Sequence, residues 1–205
     1  ASMDYFFKKG GIKNELLNVN SVEVNLDGVL SSRGSALKEN YSDFPEYNTQ
    51  LIVNKDSLNS IAKLLVENSF QMNTRAFGDA ANEMVLDTYN SILIKLDDPR
   101  WRIEHIHAIS KEDISKFNSK IIPSIQPSQA VSQMQWAKLR LGAERIKNAF
   151  TYKGLLDWSG VLALGSDSPY EDISPINTFY TAVTRGLKNK DLGEDSQVKN
   201  LLSRY

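Results

Sequence analysis

The chain has no cysteine, so disulfides and thiolate metal sites are excluded, and compartment cannot be read from redox chemistry. Histidine is nearly absent too. His105 and His107 are the only two in 205 residues, so any site built on imidazole has to use them. No apolar run approaches the roughly 20 residues needed to cross a bilayer, and no signal peptide is visible. An excess of one charge is also lacking. The 24 basic and 25 acidic residues leave a net charge of −1, and no basic-aromatic stretch offers a surface to nucleic acid. Low-complexity segments are absent. What remains is a composition ordinary for a soluble globular protein, 41% hydrophobic and 24% charged, on a chain long enough to bury a full core. Ala1-Ser2-Met3 reads as an added leader, so the natural N-terminus is expected to lie elsewhere. The cytoplasm is the favoured compartment.

One local theme repeats: an apolar run, a loop with Gly, Asp or Ser, then an amphipathic helix. That alternation predicts βα units and a parallel sheet. Strands are expected at Ser21–Leu26, Gln71–Phe77, Trp101–Ile106, Ile121–Ile125 and Val161–Leu164. Helices are expected over Ser57–Asn68, with Leu58, Ile61, Leu64 and Leu65 on one stripe, and onward from Asp79 as N-cap. Ser110–Asp113 reads as a capping box, and Gln126-Pro127-Ser128 ends a strand and opens a helix. Further helical stretches are expected at Ala143–Phe150, Lys153–Ser159 and Ile176–Lys188. The polar loop Ser31–Asn48 is long enough to suggest function. Residues 189–205 read as a loose tail with a possible helical turn at Val198–Leu202, and residues 1–205 as a single domain. Five βα units make either an open doubly wound sheet or part of a barrel.

Arg102-Ile103-Glu104-His105-Ile106 and Gly165-Ser166-Asp167-Ser168-Pro169 each place one possible metal ligand at the end of an apolar, strand-like run. In an α/β barrel that end is the mouth. His105 and His107, two apart on a strand, point to one side and suit a ligand or an acid/base pair; a strand-end histidine can also be an inert hydrogen-bonded one. Asp167 can bind a cation or take a proton from water, or serve only as a turn residue. Glu23 and Asn25, inside the first strand, either face a barrel interior, where they need partners, or face solvent on an edge. Arg75 is an interior cation, an anion clamp or a solvated strand end.

These pieces resemble the amidohydrolase superfamily, in the branch of metal-dependent hydrolases that includes the N-substituted formamide deformylases. The resemblance runs from about Val22 to Arg185. It is carried by Leu26-Asp27-Gly28, Ser32-Arg33-Gly34-Ser35-Ala36-Leu37, Gly78-Asp79-Ala80-Ala81-Asn82 and Asp98-Pro99-Arg100-Trp101-Arg102-Ile103-Glu104-His105. Gln126-Pro127-Ser128, Trp136-Ala137, Gly165-Ser166-Asp167-Ser168-Pro169 and Ala182-Val183-Thr184-Arg185 complete it.

The resemblance implies strands 4 to 8 of a (β/α)8 barrel whose whole protein hydrolyses amide-like C–N bonds of a small molecule with a divalent metal, zinc for this ligand type. His105 matches the strand-6 histidine ligand, Asp167 the strand-8 aspartate that is both ligand and base, and Glu23 the place of a bridging ligand. Arg33 with its loop, Arg75 and His107 are expected on the substrate. Arg75 stands where the family has a histidine, and Gln129 replaces a histidine after Gln-Pro-Ser. Arginine donates only and cannot ligate a cation. This stretch alone is therefore expected to hold no tightly bound metal and to be inactive. A catalytically degenerate barrel that binds without turnover is the alternative. An open half-barrel is also expected to have an apolar inner face and to self-associate through its sheet edges.

Overall fold

Short runs of β-branched and apolar residues, each followed by a capped amphipathic helix, order the chain into a parallel sheet covered on one face. The computed structural model describes residues 3–185 and 200–203. An N-terminal helix α1 (Met3–Lys9) leads into a small antiparallel pair, β1 (Ile12–Lys13) with β2 (Asn18–Val19). Its turn is closed by Asn14, whose side chain accepts from the Leu16 and Leu17 amides.

The main sheet then follows in sequence order: β3 (Ser21–Asn25), β4 (Gln71–Ala76), β5 (Trp101–His105), β6 (Ile121–Ile125) and β7 (Ala163–Leu164), every neighbour parallel. Between and after them come α2 (Lys55–Glu67), α3 (Asp79–Ile92), α4 (Lys111–Ile114), α5 (Pro127–Arg145), α6 (Tyr152–Ser159) and α7 (Pro175–Thr184). This is the five-unit part of a (β/α)8 barrel that the sequence implies.

Register decides what each face holds. Val22 pairs with Met72, Thr74 with Ile103 and Trp101 with Ile121, and these face the helices. Leu58, Ala62 and Leu65 of α2, Val85, Leu86 and Tyr89 of α3 and Leu155 of α6 complete the core. Leu64, expected on the buried stripe, is instead largely exposed. The Tyr89 hydroxyl meets the Thr74 hydroxyl at 2.7 Å, so the buried phenol is satisfied.

The other face is polar. Glu23 pairs with Asn73, Asn25 with Arg75, Arg75 with Glu104, and Glu104 with Ser124. The expected apolar inner face is therefore wrong. Glu23 and Asn25 do belong to this interior-type face, and their alternation with Val22 and Val24 follows from the two-residue period of a strand.

Some boundaries also differ. Asp79 is the first residue of α3 and not its cap; its Oδ1 accepts from the Lys38 amide at 2.9 Å. Asn54 caps α2, accepting from the Ser57 amide. The capping box at Ser110 forms, with the Asp113 amide donating to Ser110 Oγ, but heads only one turn of helix. Gly142, at φ 73°, separates two helical lengths inside α5, and Ile146–Asn148 continues as a 3-10 turn. β7 is shorter than expected. Gly160 takes the chain out of α6 at φ 73°, and the Ser159 hydroxyl donates to the Val161 carbonyl before the strand begins.

The end of the expected last helix (186–188) and most of the tail lie outside the described residues. Of the segment expected to be loose, Leu202 is docked, its amide donating to Ala182 O at 3.2 Å. Among the described residues no helix is long and apolar enough to cross a membrane.

Candidate active site

The C-terminal rim of the sheet is tied together by Asp27, just past β3. Its Oδ1 accepts from the Phe77 amide and its Oδ2 from the Gly78 and Ala36 amides, all within 2.8–2.9 Å. The residue is 4% exposed. Burial pushes its carboxyl up to about 7, while the three N–H groups pull the other way. Asp27 thus joins the ends of β3 and β4 to the loop at Ala36. Only the position of Leu26-Asp27-Gly28 at a strand end hinted at this role.

The structure places His105 at the last position of β5 and then turns the chain sharply, with φ 79° at His105 and 49° at Ile106. His105 and His107 are therefore brought together by a turn, not by alternation along one strand. Their ring centroids lie 6.1 Å apart, with Phe77 stacked on His105 at 4.1 Å and edge-on to His107 at 4.9 Å. Both rings are buried, 5% and 1% exposed. Burial, reinforced by the Arg75 charge, lowers His105 to about 4. Burial lowers His107 to about 3, against the opposing hydrogen bond that its Nε2 makes to Gln129 Oε1. Both rings are neutral at pH 7.

Gln129, near the start of α5, links the parts. Its Nε2 donates to Asp167 Oδ2 at 2.9 Å. Its Oε1 meets His107 Nε2 at 2.9 Å and His105 Nδ1 at 3.4 Å. On the far side of His105, Arg75 Nε donates to Nε2 at 3.2 Å. Arg75 NH1 lies 3.9 Å from Glu23 Oε1. A continuous chain of side chains thus runs Glu23–Arg75–His105–Gln129–Asp167, drawn from β3, β4, β5, α5 and the turn after β7. Asp167 itself sits at φ 58° and heads a turn, its carbonyl accepting from the Tyr170 amide.

Arg33 stands apart from this chain. Its guanidinium holds Asp43 at 2.9 Å, and Arg140 holds the same carboxylate. The triad braces the 31–48 loop against α5, where Arg140 also donates to the Ser31 carbonyl at 3.0–3.1 Å. Arg33 and Arg140 together hold the Asp43 carboxyl below its ordinary value against the opposing desolvation.

The amidohydrolase family's sequence model matches residues 3–205, and the chain belongs to that family. It is 31% identical over 187 residues to Protein LONG AFTER FAR-RED 3 of Arabidopsis thaliana, covering 89% of this chain and 32% of that protein. It is 28% identical over 186 residues to YtcJ of Bacillus subtilis (strain 168), which carries an amidohydrolase name, covering 90% of this chain and 35% of that one. Among solved structures it is similar to a metal-dependent hydrolase of Pyrococcus horikoshii OT3, with TM-score 0.84 and 27% identity. That match covers 98% of this chain and 40% of the Pyrococcus chain. The chain spans about a third of the length of the curated relatives it matches.

A divalent cation is implied by the metal-dependent hydrolases it is similar to. The side chains present do not fit one as they stand. The lone pair of His105 Nε2 faces a guanidinium that cannot give up its proton. Glu23 Oε1 lies 3.9 Å from NH1 of that same guanidinium, and one oxygen of Asp167, Oδ2, accepts from the Gln129 amide. Among the described residues no three His, Asp or Glu side chains converge as a metal cage requires.

Proposed function

We propose that the whole protein hydrolyses amide-like C–N bonds of a small molecule, in the branch of the family that includes the N-substituted formamide deformylases. The observation that carries this reading is the position of Asp167. It stands just past the last parallel strand, its carboxylate oriented by the Gln129 amide at 2.9 Å. A carboxylate so held takes the proton of an attacking water and returns it to the leaving amine.

Arg75 supplies positive charge on the same rim. Its side chain is 34% exposed, and only Nε is used in a hydrogen bond to another side chain among the described residues. Its terminal nitrogens, of which NH1 lies 3.9 Å from Glu23 Oε1, would hold the carbonyl oxygen as it gains charge. His107 and His105, both neutral, shape the wall beside it. Zinc, the cation expected from the resemblance, needs an imidazole lone pair that Arg75 already occupies here, so this chain's own chemistry runs through Asp167 and Arg75.

A second reading has its own support: a barrel that binds a small molecule without turnover is favoured by the Arg75–His105 hydrogen bond. A panel of N-substituted formamides and other small amides, assayed with the whole protein, separates the two. Turnover that falls by roughly 100-fold or more in Asp167→Asn supports the hydrolase. Saturable binding without turnover would favour the second reading.

This half of the barrel is also expected to self-associate. Among the described residues β3 and β7 each have one edge without a strand partner, and Val161 and Leu164 are 50% and 39% exposed. Because the inner face is polar, pairing through edges is the expected mode. Sedimentation at low micromolar concentration should show dimers or larger species, and a clean monomer would contradict this.

A further inference from the structure

We infer that the Arg75 guanidinium is a built-in cation that closes His105 to a divalent metal, and that Asp167 enforces this closure from the other side of the site through Gln129. The inference rests on the family membership but not on turnover.

An ionised carboxylate only accepts, so the Gln129 group against Asp167 Oδ2 is its NH2. The amide orientation follows, and Oε1 is turned to the two imidazoles. That oxygen also only accepts, so the protons of the neutral rings lie on His107 Nε2 and His105 Nδ1. In a neutral ring one nitrogen is protonated and the other is not. His105 Nε2 therefore carries the lone pair, and it meets the Arg75 Nε–H at 3.2 Å.

Each link fixes the next, from a carboxylate at one end to a guanidinium at the other. The lone pair that a metal would need is the one the network aims at Arg75. A thiol or a lysine in the place of Arg75 could yield by losing its proton; an arginine cannot, and it has to move bodily. Glu23, 3.9 Å from NH1, and Phe77, whose ring lies 5.6 Å from the guanidinium carbon, both favour its staying.

Other features carry less. The Arg185 guanidinium is buried over the Tyr152 ring, with Nε and NH1 lacking a hydrogen-bond partner among the described residues, but it lies beside residues outside the described set. The cleft lined by Lys38, Asp79, Lys111 and Arg145 mixes both charges and selects no ligand.

Nitrogen NMR of the chain at pH 7 tests the inference directly. It predicts an unprotonated His105 Nε2 with a through-hydrogen-bond coupling to Arg75 Nε. It also predicts that zinc titrated alone, followed by calorimetry, binds the folded Arg75→Ala variant at least tenfold more tightly than the unchanged chain. Adding His105→Ala to that variant should remove the gain.

A protonated Nε2, or stoichiometric zinc on the unchanged chain that is lost in His105→Ala, would overturn it. So would a folded Arg75→Ala variant with no gain in affinity. None of these readouts depends on hydrolysis, so a failure of the hydrolase reading and a failure of this one remain separate.

Discussion

Replacing Gly78 with alanine is expected to destabilise the protein by at least about 3 kcal/mol and to disorder the rim. The backbone there is ordinary, at φ −86° and ψ 161°, so no left-handed strain is involved. The obstacle is space. A Cβ at Gly78 would stand 2.0 Å from the Ala36 carbonyl oxygen and 2.7 Å from its carbon. Both are backbone atoms and cannot swing aside as a side-chain tip would. Moving them breaks the Ala80 amide bond to Ala36 O and loosens the Ala36 and Gly78 amides on Asp27. Gly160→Ala is the contrast. Nothing lies within 4 Å of its added Cβ, and only the φ of 73° opposes it, for a cost of about 1–2 kcal/mol. Urea unfolding of both variants checks the difference, and equal losses would mean that the approach of Ala36 to Gly78 is not a structural constraint.

Stability is expected to fall between pH 6.5 and pH 4. His105 and His107 have folded values of about 4 and 3, below the ordinary 6.5. A base whose folded value is depressed contributes stability that is complete above its unfolded value and is lost as pH falls toward the folded one. Each ring therefore withdraws on the order of 3 kcal/mol by pH 4.

Asp27 works in the opposite direction. Its folded value of about 7 is raised, so its contribution is present at low pH and lost as pH rises through 7. It offsets about one of the two rings, leaving a net loss of roughly 2–3 kcal/mol at pH 4 relative to pH 7. The structural cause is clearest at His107, where Nδ1 is buried with no hydrogen-bond partner among the described residues, so an added proton finds no acceptor there. Chemical denaturation at a series of pH values gives the slope. A flat profile from pH 7 to 4.5 would contradict the burial of the two rings.

Much of the sheet was legible because apolar residues recur at every second position of its strands and each strand is followed by a loop and an amphipathic helix pattern. Trp101–His105 and Ile121–Ile125 fall where the pattern put them, to within a residue. The short β1–β2 pair was not legible, since two-residue strands carry no period. The polarity of the inner face was written in Glu23 and Asn25, yet its meaning depends on register with Asn73 and Arg75 across the sheet, which one strand cannot reveal.

The site shows the same division. Glu23, Arg75, His105 and Asp167 were each marked by their place at a strand or strand end. The fold joins Arg75, His105 and Asp167 by hydrogen bonds through Gln129, with Glu23 reached only by a 3.9 Å ion pair. Gln129 was visible only as a missing histidine. That its amide joins two imidazoles to Asp167 depends on contacts 22 to 38 residues apart in sequence. Arg33 drew attention through its loop, but Asp43 and Arg140 claim it.

The most direct test of the whole account is a high-resolution crystal structure of the chain grown at pH 7 with zinc in the drop and anomalous data at the zinc edge. The account predicts Arg75 Nε against His105 Nε2 and Gln129 bridging His107 to Asp167, with no anomalous peak at His105. A zinc peak bound by His105 and Asp167, with Arg75 swung away, would contradict it.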